Sequence, residues 1–327
     1  MLGCLLMFCS FNTSATSQDW AQFKKAFIQD GRVIDTGNKS ISHTEGQGVA
    51  MLMAVHYDDL ATFEQIWNWT QRELQVRPDK LLAWSWSPKQ GAIDSNNASD
   101  GDLFVAWALS QAYTKWHEPR YLFASIQISQ AIRNHLLRKT SKGTILLPGA
   151  YGFEKAGVLK LNLSYWVFPA INELAILDPS PDWEDLKETG VRLLQEAQFG
   201  KWHLPPDWLL LDGDTLTPAD DARFGYDAVR IPLYLIWGKV ATPDLLKPYQ
   251  SFWGAYQDPS FLPSWVDLNS NITGTYNAST GFHDIAALTL AFPQLNEVKL
   301  ESLDGSGSYY SNMLSLFTRT ALEDLQK

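Results

Sequence analysis

The sequence predicts an all-α protein in one domain, on three observations. Helical periodicity dominates from Asp19 onward; clusters of Gly, Pro, Asn and Asp interrupt it at fairly even intervals; and no low-complexity linker or composition break divides the 327 residues. Helices paired in sequence as αα-hairpins fit that pattern.

Along the chain the periodicity places eleven helices, over 19–29, 45–57, 60–76, 100–116, 119–138, 166–177, 183–198, 222–239, 243–256, 281–292 and 309–326. The second follows Ser42-x-x-Glu45 and Thr44-x-x-Gln47, either of which fits a capping box. If Thr44 caps, Gln47 makes the reciprocal bond and Glu45 is left free at the first helical position. Gly46 and Gly48 beside it allow another chain or a substrate to approach closely. The fourth helix opens with Asp100 and Asp102, acids that suit the positive end of a helix dipole. The eighth carries Asp227 and Arg230 at salt-bridge spacing inside the most apolar helical stretch of the chain, where a charge pair is costly without a task and the Arg would keep the Asp ionised.

Two β excursions interrupt the helices. One spans 143–162, where 144–147 and 158–161 flank Gly-containing turns; the other spans 208–217, with Asp212-Gly213 as a hairpin signal. Residues 77–99 form a connection without obvious periodicity, which in a compact domain usually marks a functional loop. It brings Trp84, Trp86, Asp94, Asn96 and Asn97 up to Ala98-Ser99-Asp100-Gly101-Asp102.

Composition narrows the chemistry. With 26 Lys+Arg against 36 Asp+Glu the net charge is −10, which argues against a nucleic-acid partner, since a phosphate binder needs a basic face. The 14 Trp and 12 Tyr are plentiful, and their flat apolar faces with polar edges suit sugar rings as well as cores. Both cysteines, Cys4 and Cys9, lie in an apolar run over 2–11 followed by small and polar residues, the pattern of a secretory signal peptide over 1–17, although no Lys or Arg precedes it. Removal of that segment leaves a thiol-free chain, 18–327, with no membrane-spanning stretch, destined for the periplasm or the medium. The six His are scattered, and no His-Glu-x-x-His, Gly-x-Ser-x-Gly, Walker A or Gly-x-Gly-x-x-Gly occurs, so no metal or nucleotide cofactor is indicated.

Cleaving a glycosidic bond takes two carboxyl groups, one protonated to donate to the leaving oxygen and one ionised as base or nucleophile. Glu45, Asp100 and Asp227 each stand beside unusual sequence. Read together, Thr44-Glu45-Gly46-Gln47, Asp94-Ser95-Asn96-Asn97-Ala98-Ser99-Asp100-Gly101-Asp102, Ser164-Tyr165 and Tyr226-Asp227-Ala228-x-Arg230 resemble, in this order, glycoside hydrolase family 8. Within it the likeness is greatest to the periplasmic endoglucanases that accompany bacterial cellulose synthases, and it extends from Trp20 to the helix over 308–317. Departures from the family pattern include Leu163 where Pro is common and Phe224-Gly225 for a small polar pair.

The resemblance implies an (α/α)6 barrel, twelve helices around a groove, in a single catalytic domain over 18–327, and inverting hydrolysis of β-1,4-glucan without a cofactor. By the matching motifs Glu45 would be the general acid, Asp227 the general base, and Asp100 the group that binds the sugar at the cleavage point. Tyr165 and Arg230 would position the water or the base; Trp84 and Trp86 occupy the loop where the family places stacking aromatics, and Asn97 is a further substrate-binding candidate. A monomer is expected, with a cellulose synthase complex as a possible partner. Chitosan or xylan on the same scaffold, and a non-catalytic glucan-binding protein, are the alternatives.

Overall fold

The computed structural model describes residues 12–256, 258, 260–300, 303 and 307–327, with side chains from residue 18 onward. The whole apolar run over 2–11, with Cys4 and Cys9, therefore lies outside the described residues, and Asn12 belongs to the first helix. Eleven α-helices are present among the described residues: α1 (Asn12–Phe27), α2 (Thr44–His56), α3 (Leu60–Glu73), α4 (Ser99–Trp116), α5 (Pro119–Leu136), α6 (Phe168–Leu177), α7 (Pro181–Glu196), α8 (Ile231–Trp237), α9 (Pro243–Trp253), α10 (Thr280–Ala291) and α11 (Tyr309–Leu325). The protein is thus predominantly α-helical, as the periodicity predicts, and the number of helices is the one the sequence gives.

Two kinds of helix alternate. In α3 one stripe, including Phe63, Ile66, Trp67 and Thr70, is buried and the rest meets solvent. In α2 every residue from Gly46 to Val55 is buried, and α4 is buried continuously from Ser99 to Ser110. The more deeply buried kind form consecutive neighbours: α2 packs on α4, α4 on α6, α6 on α8, α8 on α10, α10 on α11, and α11 on α2 again. The striped helices lie outside, α3 on α2, α5 on α4, α7 on α6 and α9 on α10. Between α10 and α11, where the alternation would put another outer helix, the described residues form a 3-10 turn over Leu295–Glu297. Capping locks the outer helices: Asp59 accepts from Thr62 N at 3.1 Å to start α3, and Ser180 followed by Pro181 starts α7.

The strands differ from expectation in three places. The 77–99 connection contains a hairpin, Ser85–Ser87 with Gly91–Asp94, whose first strand also pairs with Ser42–His43 just ahead of α2. Of the 143–162 excursion, Gly143–Leu146 pairs back onto Leu137–Thr140, read from the sequence as a helix end, whereas Val158–Leu161 joins Leu209–Asp212 in a four-stranded sheet. The 209–218 hairpin forms, with Gly213 and Asp214 as its two loop residues, one position later than the Asp212-Gly213 signal.

The eighth helix is much shorter than 222–239. Arg223–Phe224 is a strand paired with Val266–Asp267, a 3-10 turn covers Ala228–Arg230, and α8 begins at Ile231 ahead of Pro232. The backbone N–H groups of Gly225, Asp227 and Ala228 are taken by the Asp207 side chain, and this tertiary acceptor displaces the helical pattern. No helix among the described residues is long and apolar enough to cross a membrane.

Candidate active site

Glu45 enters the site from the first turn of α2, which is capped by neither predicted box. His43 is the N-cap, its Nδ1 accepting from Gly46 N at 3.1 Å. Ser42 Oγ accepts from Arg32 Nε at 2.8 Å, and Gln47 is spent on tertiary bonds: it accepts from Val33 N at 2.6 Å and donates to Gly31 O at 3.1 Å and Thr70 Oγ1 at 2.9 Å. A buried amide must satisfy all its polar atoms, and here the nearest partners belong to the preceding strand and α3. Glu45 is left facing outward, with 16 % of its side chain exposed.

Asp100 is brought alongside by the close packing of α4 on α2. A Cβ on Gly48 would lie 2.5 Å from Phe104 Cβ, and one on Gly101 would lie 2.9 Å from Glu45 N. Two missing side chains therefore let the N-terminal turns of the two helices touch, and only glycine permits it. The Asp100 side chain is almost wholly buried, with Oδ1 accepting from Gly101 N at 2.8 Å.

Asp227 precedes the 3-10 turn ahead of α8 and Arg230 ends it. Arg230, 3 % exposed, is the hub: Nη2 donates to Asp227 Oδ1 at 2.8 Å and to Ser164 Oγ at 2.9 Å, Nη1 donates to Glu45 Oε1, and Nη1 lies 3.6 Å from Asp100 Oδ2. The i,i+3 salt bridge is formed, but as part of a cluster of three carboxyls on one guanidinium. That planar fork presents its donors from separate nitrogens, where an ammonium would offer all of them from one.

Electrostatics follow from this crowding. Burial pushes the Asp100 carboxyl up to about 7, the Glu45 charge adds to that, and Arg230 opposes both. Asp227 is also raised above 3.8: burial is the largest influence, Arg230 lowers it and Glu45 raises it again. The Arg therefore acts on Asp227 in the expected direction, but burial outweighs it. For His43, burial is again the largest influence and lowers the pKa, yet the hydrogen bond to Asp35 and the negative Glu45, Asp35 and Asp100 leave it raised overall.

Glu45, Asp227 and Arg230 line a cavity of about 650 Å³ bounded by Tyr226, Tyr276 and Tyr310, which adjoins a second of about 210 Å³ lined by Glu45, Asp100, Trp84 and Tyr165. Asp35, Asn38, Glu45 and Tyr310 line both. Three carboxyls, one fixed cation and a cleft walled by aromatic rings suit proton transfer to and from a polyhydroxylated ligand.

The model of glycosyl hydrolases family 8 matches residues 2–323. The chain belongs to that family. A probable endoglucanase from Novacetimonas hansenii is 37 % identical over 314 residues, 94 % of this chain and 91 % of that protein. Among solved structures, the endo-beta-1,4-glucanase CMCax from Acetobacter xylinum superposes with a TM-score of 0.90 at 36 % identity, covering 96 % of this chain and 99 % of the other. The family 8 endoglucanase Cel10 from Klebsiella pneumoniae gives 0.89 at 35 % identity, covering 95 % and 100 %.

The other residues singled out in this family 8 chain fall into two groups. Tyr165 and Trp84 line the smaller cavity, with Trp84 Nε1 donating to Asp94 Oδ2 at 2.8 Å. Trp86 lines neither cavity: its indole packs edge-on against Trp69 with centroids 5.2 Å apart, lies under the Arg32 guanidinium, and donates to Glu73 Oε2 at 3.0 Å. Asn97 is buried and ties the loop together, donating to Asp102 Oδ2 at 2.6 Å and accepting from Ala150 N at 2.7 Å. Ser164 meets Arg230 as well as adjoining Tyr165. Two residues escaped the sequence reading, Tyr310, which lines both cavities, and Asp207, which bonds the Asp227 loop. Pro205-Pro206-Asp207-Trp208 ahead of the hairpin was the available signal for the latter.

Proposed function

We propose that this protein is an inverting endo-β-1,4-glucanase with Glu45 as general acid, Asp227 as general base and Asp100 holding the sugar at the cleavage point. The observation that carries this reading is the convergence of those three carboxyls, from α2, α4 and the turn before α8, on Arg230 where two adjoining cavities meet. Glu45 and Asp227 bind different nitrogens of that guanidinium, which keeps donor and acceptor apart. Inversion needs about 6.5–9.5 Å between the two carboxyls, so that a water fits beside the base.

In the reaction the Arg230–Glu45 contact opens, because a guanidinium has no proton to relay and no acceptor to offer. Glu45 then gives its proton to the glycosidic oxygen as the bond from that oxygen to the anomeric carbon breaks. Water attacks the opposite face of that carbon and passes a proton to Asp227, whose raised pKa makes it a stronger base than an ordinary carboxylate. Asp100, at about 7, helps the cluster retain a proton near neutrality. Tyr165 and Arg230 position water and base, and Trp84 stacks on a sugar.

The closed sequence of contacts through α2, α4, α6, α8, α10 and α11 supports an (α/α)6 barrel whose outer layer, made of α1, α3, α5, α7 and α9, is one helix short among the described residues. Residues 18–327 act as one catalytic domain, monomeric, exported by the 1–17 segment to the periplasm or the medium and serving cellulose biosynthesis beside a synthase.

Anomer-resolved NMR of cellopentaose hydrolysis tests the mechanism: the first product is the α-anomer, and initial β-product would contradict the assigned roles. Reducing-sugar release from carboxymethyl cellulose, chitosan and xylan in parallel tests the substrate, and faster release from chitosan or xylan would displace glucan.

A further inference from the structure

Behind the Asp227 loop lies a carboxyl with no part in the chemistry above. Asp207 precedes the strand Leu209–Asp212, far from Asp227 in sequence, yet its Oδ1 accepts from Gly225 N at 3.0 Å, Asp227 N at 3.1 Å and Ala228 N at 2.8 Å. Its own N–H donates to Arg223 O at 2.6 Å. Four bonds from one residue thus fix the backbone over 223–228. One side-chain oxygen serves three N–H groups at once, while burial and the Asp227 charge push the Asp207 carboxyl up to about 7. The next residue, Trp208, packs edge-on against Tyr165 with centroids 6.1 Å apart, so the same segment also supports the wall of the smaller cavity.

We propose that Asp207 is the positioning residue for Asp227: it holds the 225–228 loop so that the Asp227 carboxylate meets the attacking water, and it acts on the reaction only through that loop. The inference rests on Asp227 being the general base. The other titratable groups around Asp227 are Arg230, Glu45, Asp100, Tyr165 and Tyr310. Arg223, though its backbone meets Asp207, turns its guanidinium over Trp265 at 4.7 Å and toward Asp221.

The test compares Asp207→Ala, Asp207→Asn and Asp227→Asn with the parent on cellopentaose, reading kcat, KM, Tm and the pH profile. Asp207→Ala lowers kcat about 100-fold, the effect of misplacing a reacting group by an ångström, while KM stays within about 3-fold. Asp207→Asn, whose amide oxygen still accepts the three N–H groups, regains at least about 10-fold of that loss. Burial and the Asp227 charge push Asp207 up to about 7, so it is still protonated where Asp227 ionises, and the acidic limb of the Asp207→Asn profile keeps the parent's place. Parent-like kcat in Asp207→Ala overturns the proposal, as does an Asp207→Asn no better than the Ala variant. Should Asp207→Ala not fold, Asp207→Ser, whose hydroxyl is too short to reach all three N–H groups, takes its place, and parent-like kcat there overturns the proposal. Asp227→Asn separates the two readings. Full activity there removes the base assignment itself, whereas its inactivity beside a fully active Asp207→Ala removes only the positioning role.

Discussion

Arg230 Nη2 stands 2.8 Å from Asp227 Oδ1, while Nη1 of the same buried guanidinium binds Glu45. Both carboxylates therefore take their orientation from one planar group. Arg230→Lys keeps the charge and loses the fork, since one ammonium cannot reach Ser164, Asp227 and Glu45 together. The expected outcome is a fall of about 100-fold in kcat on cellopentaose with the fold intact by circular dichroism. Arg230→Met leaves several carboxyls uncompensated and lowers unfolding free energy by about 3–5 kcal/mol, checked by urea titration.

Glu45→Gln retains shape and loses the transferable proton. Turnover falls by about 1000-fold or more, within the range for a general acid, while cellopentaose still binds by calorimetry. Unchanged turnover would make the protein a glucan-binding module instead.

Stability depends on pH through Asp100, Asp102 and Asp207, each pushed up to about 7 chiefly by burial. A folded pKa above the unfolded 3.8 means that the folded chain keeps protons the unfolded chain releases between those values. Their stabilising contribution is thus complete below about pH 4 and is lost as pH rises to about 7, at up to about 1.4 kcal/mol per pH unit for each group. The urea midpoint declines from pH 5 to 7 and levels off above, and Asp100→Asn shows a shallower decline. A midpoint that rises over that interval would contradict the direction of these shifts.

How much of this was legible in the sequence depended on whether the signal was local. The outer helices were, because a buried stripe repeats every three to four residues whatever it packs against, and the inner α2 and α4 showed as apolar runs too long for a strand. The end of the eighth was not: Asp227, Ala228 and Arg230 look helical until Asp207 takes their loop's N–H groups from far away in the chain. The hairpin holding Trp86 left a trace, the alternation Trp84-Ser85-Trp86-Ser87, too short to outweigh the loop residues around it. Glu45, Asp100 and Asp227 could be picked out singly, but nothing local reveals that Arg230 gathers them, or that His43 rather than Thr44 caps α2.

Trp84 and Trp86, two positions apart on an extended segment, face different surroundings, and their removal separates binding from stability. Trp84→Ala raises KM for cellopentaose about 10-fold, the loss of one stacked ring, with little change in Tm. Trp86→Ala leaves KM alone and costs about 2–3 kcal/mol, because it abandons Trp69, Arg32 and Glu73. The reverse pattern would move the sugar-stacking role from Trp84 to Trp86.

Gly48 is remote from any proton transfer, yet it sets the distance between the helices that carry Glu45 and Asp100. In Gly48→Ala the new methyl would lie 2.5 Å from Phe104 Cβ and 2.8 Å from Val105 N, so backbone as well as side chain must move. Overpacking of this kind costs about 1–3 kcal/mol, read as a lower urea midpoint. Because α4 can yield only by shifting away from α2, Asp100 retreats from Glu45 and Arg230, and kcat falls more than KM rises. A variant that loses stability but keeps its kcat would show that the Glu45–Asp100 spacing does not govern turnover.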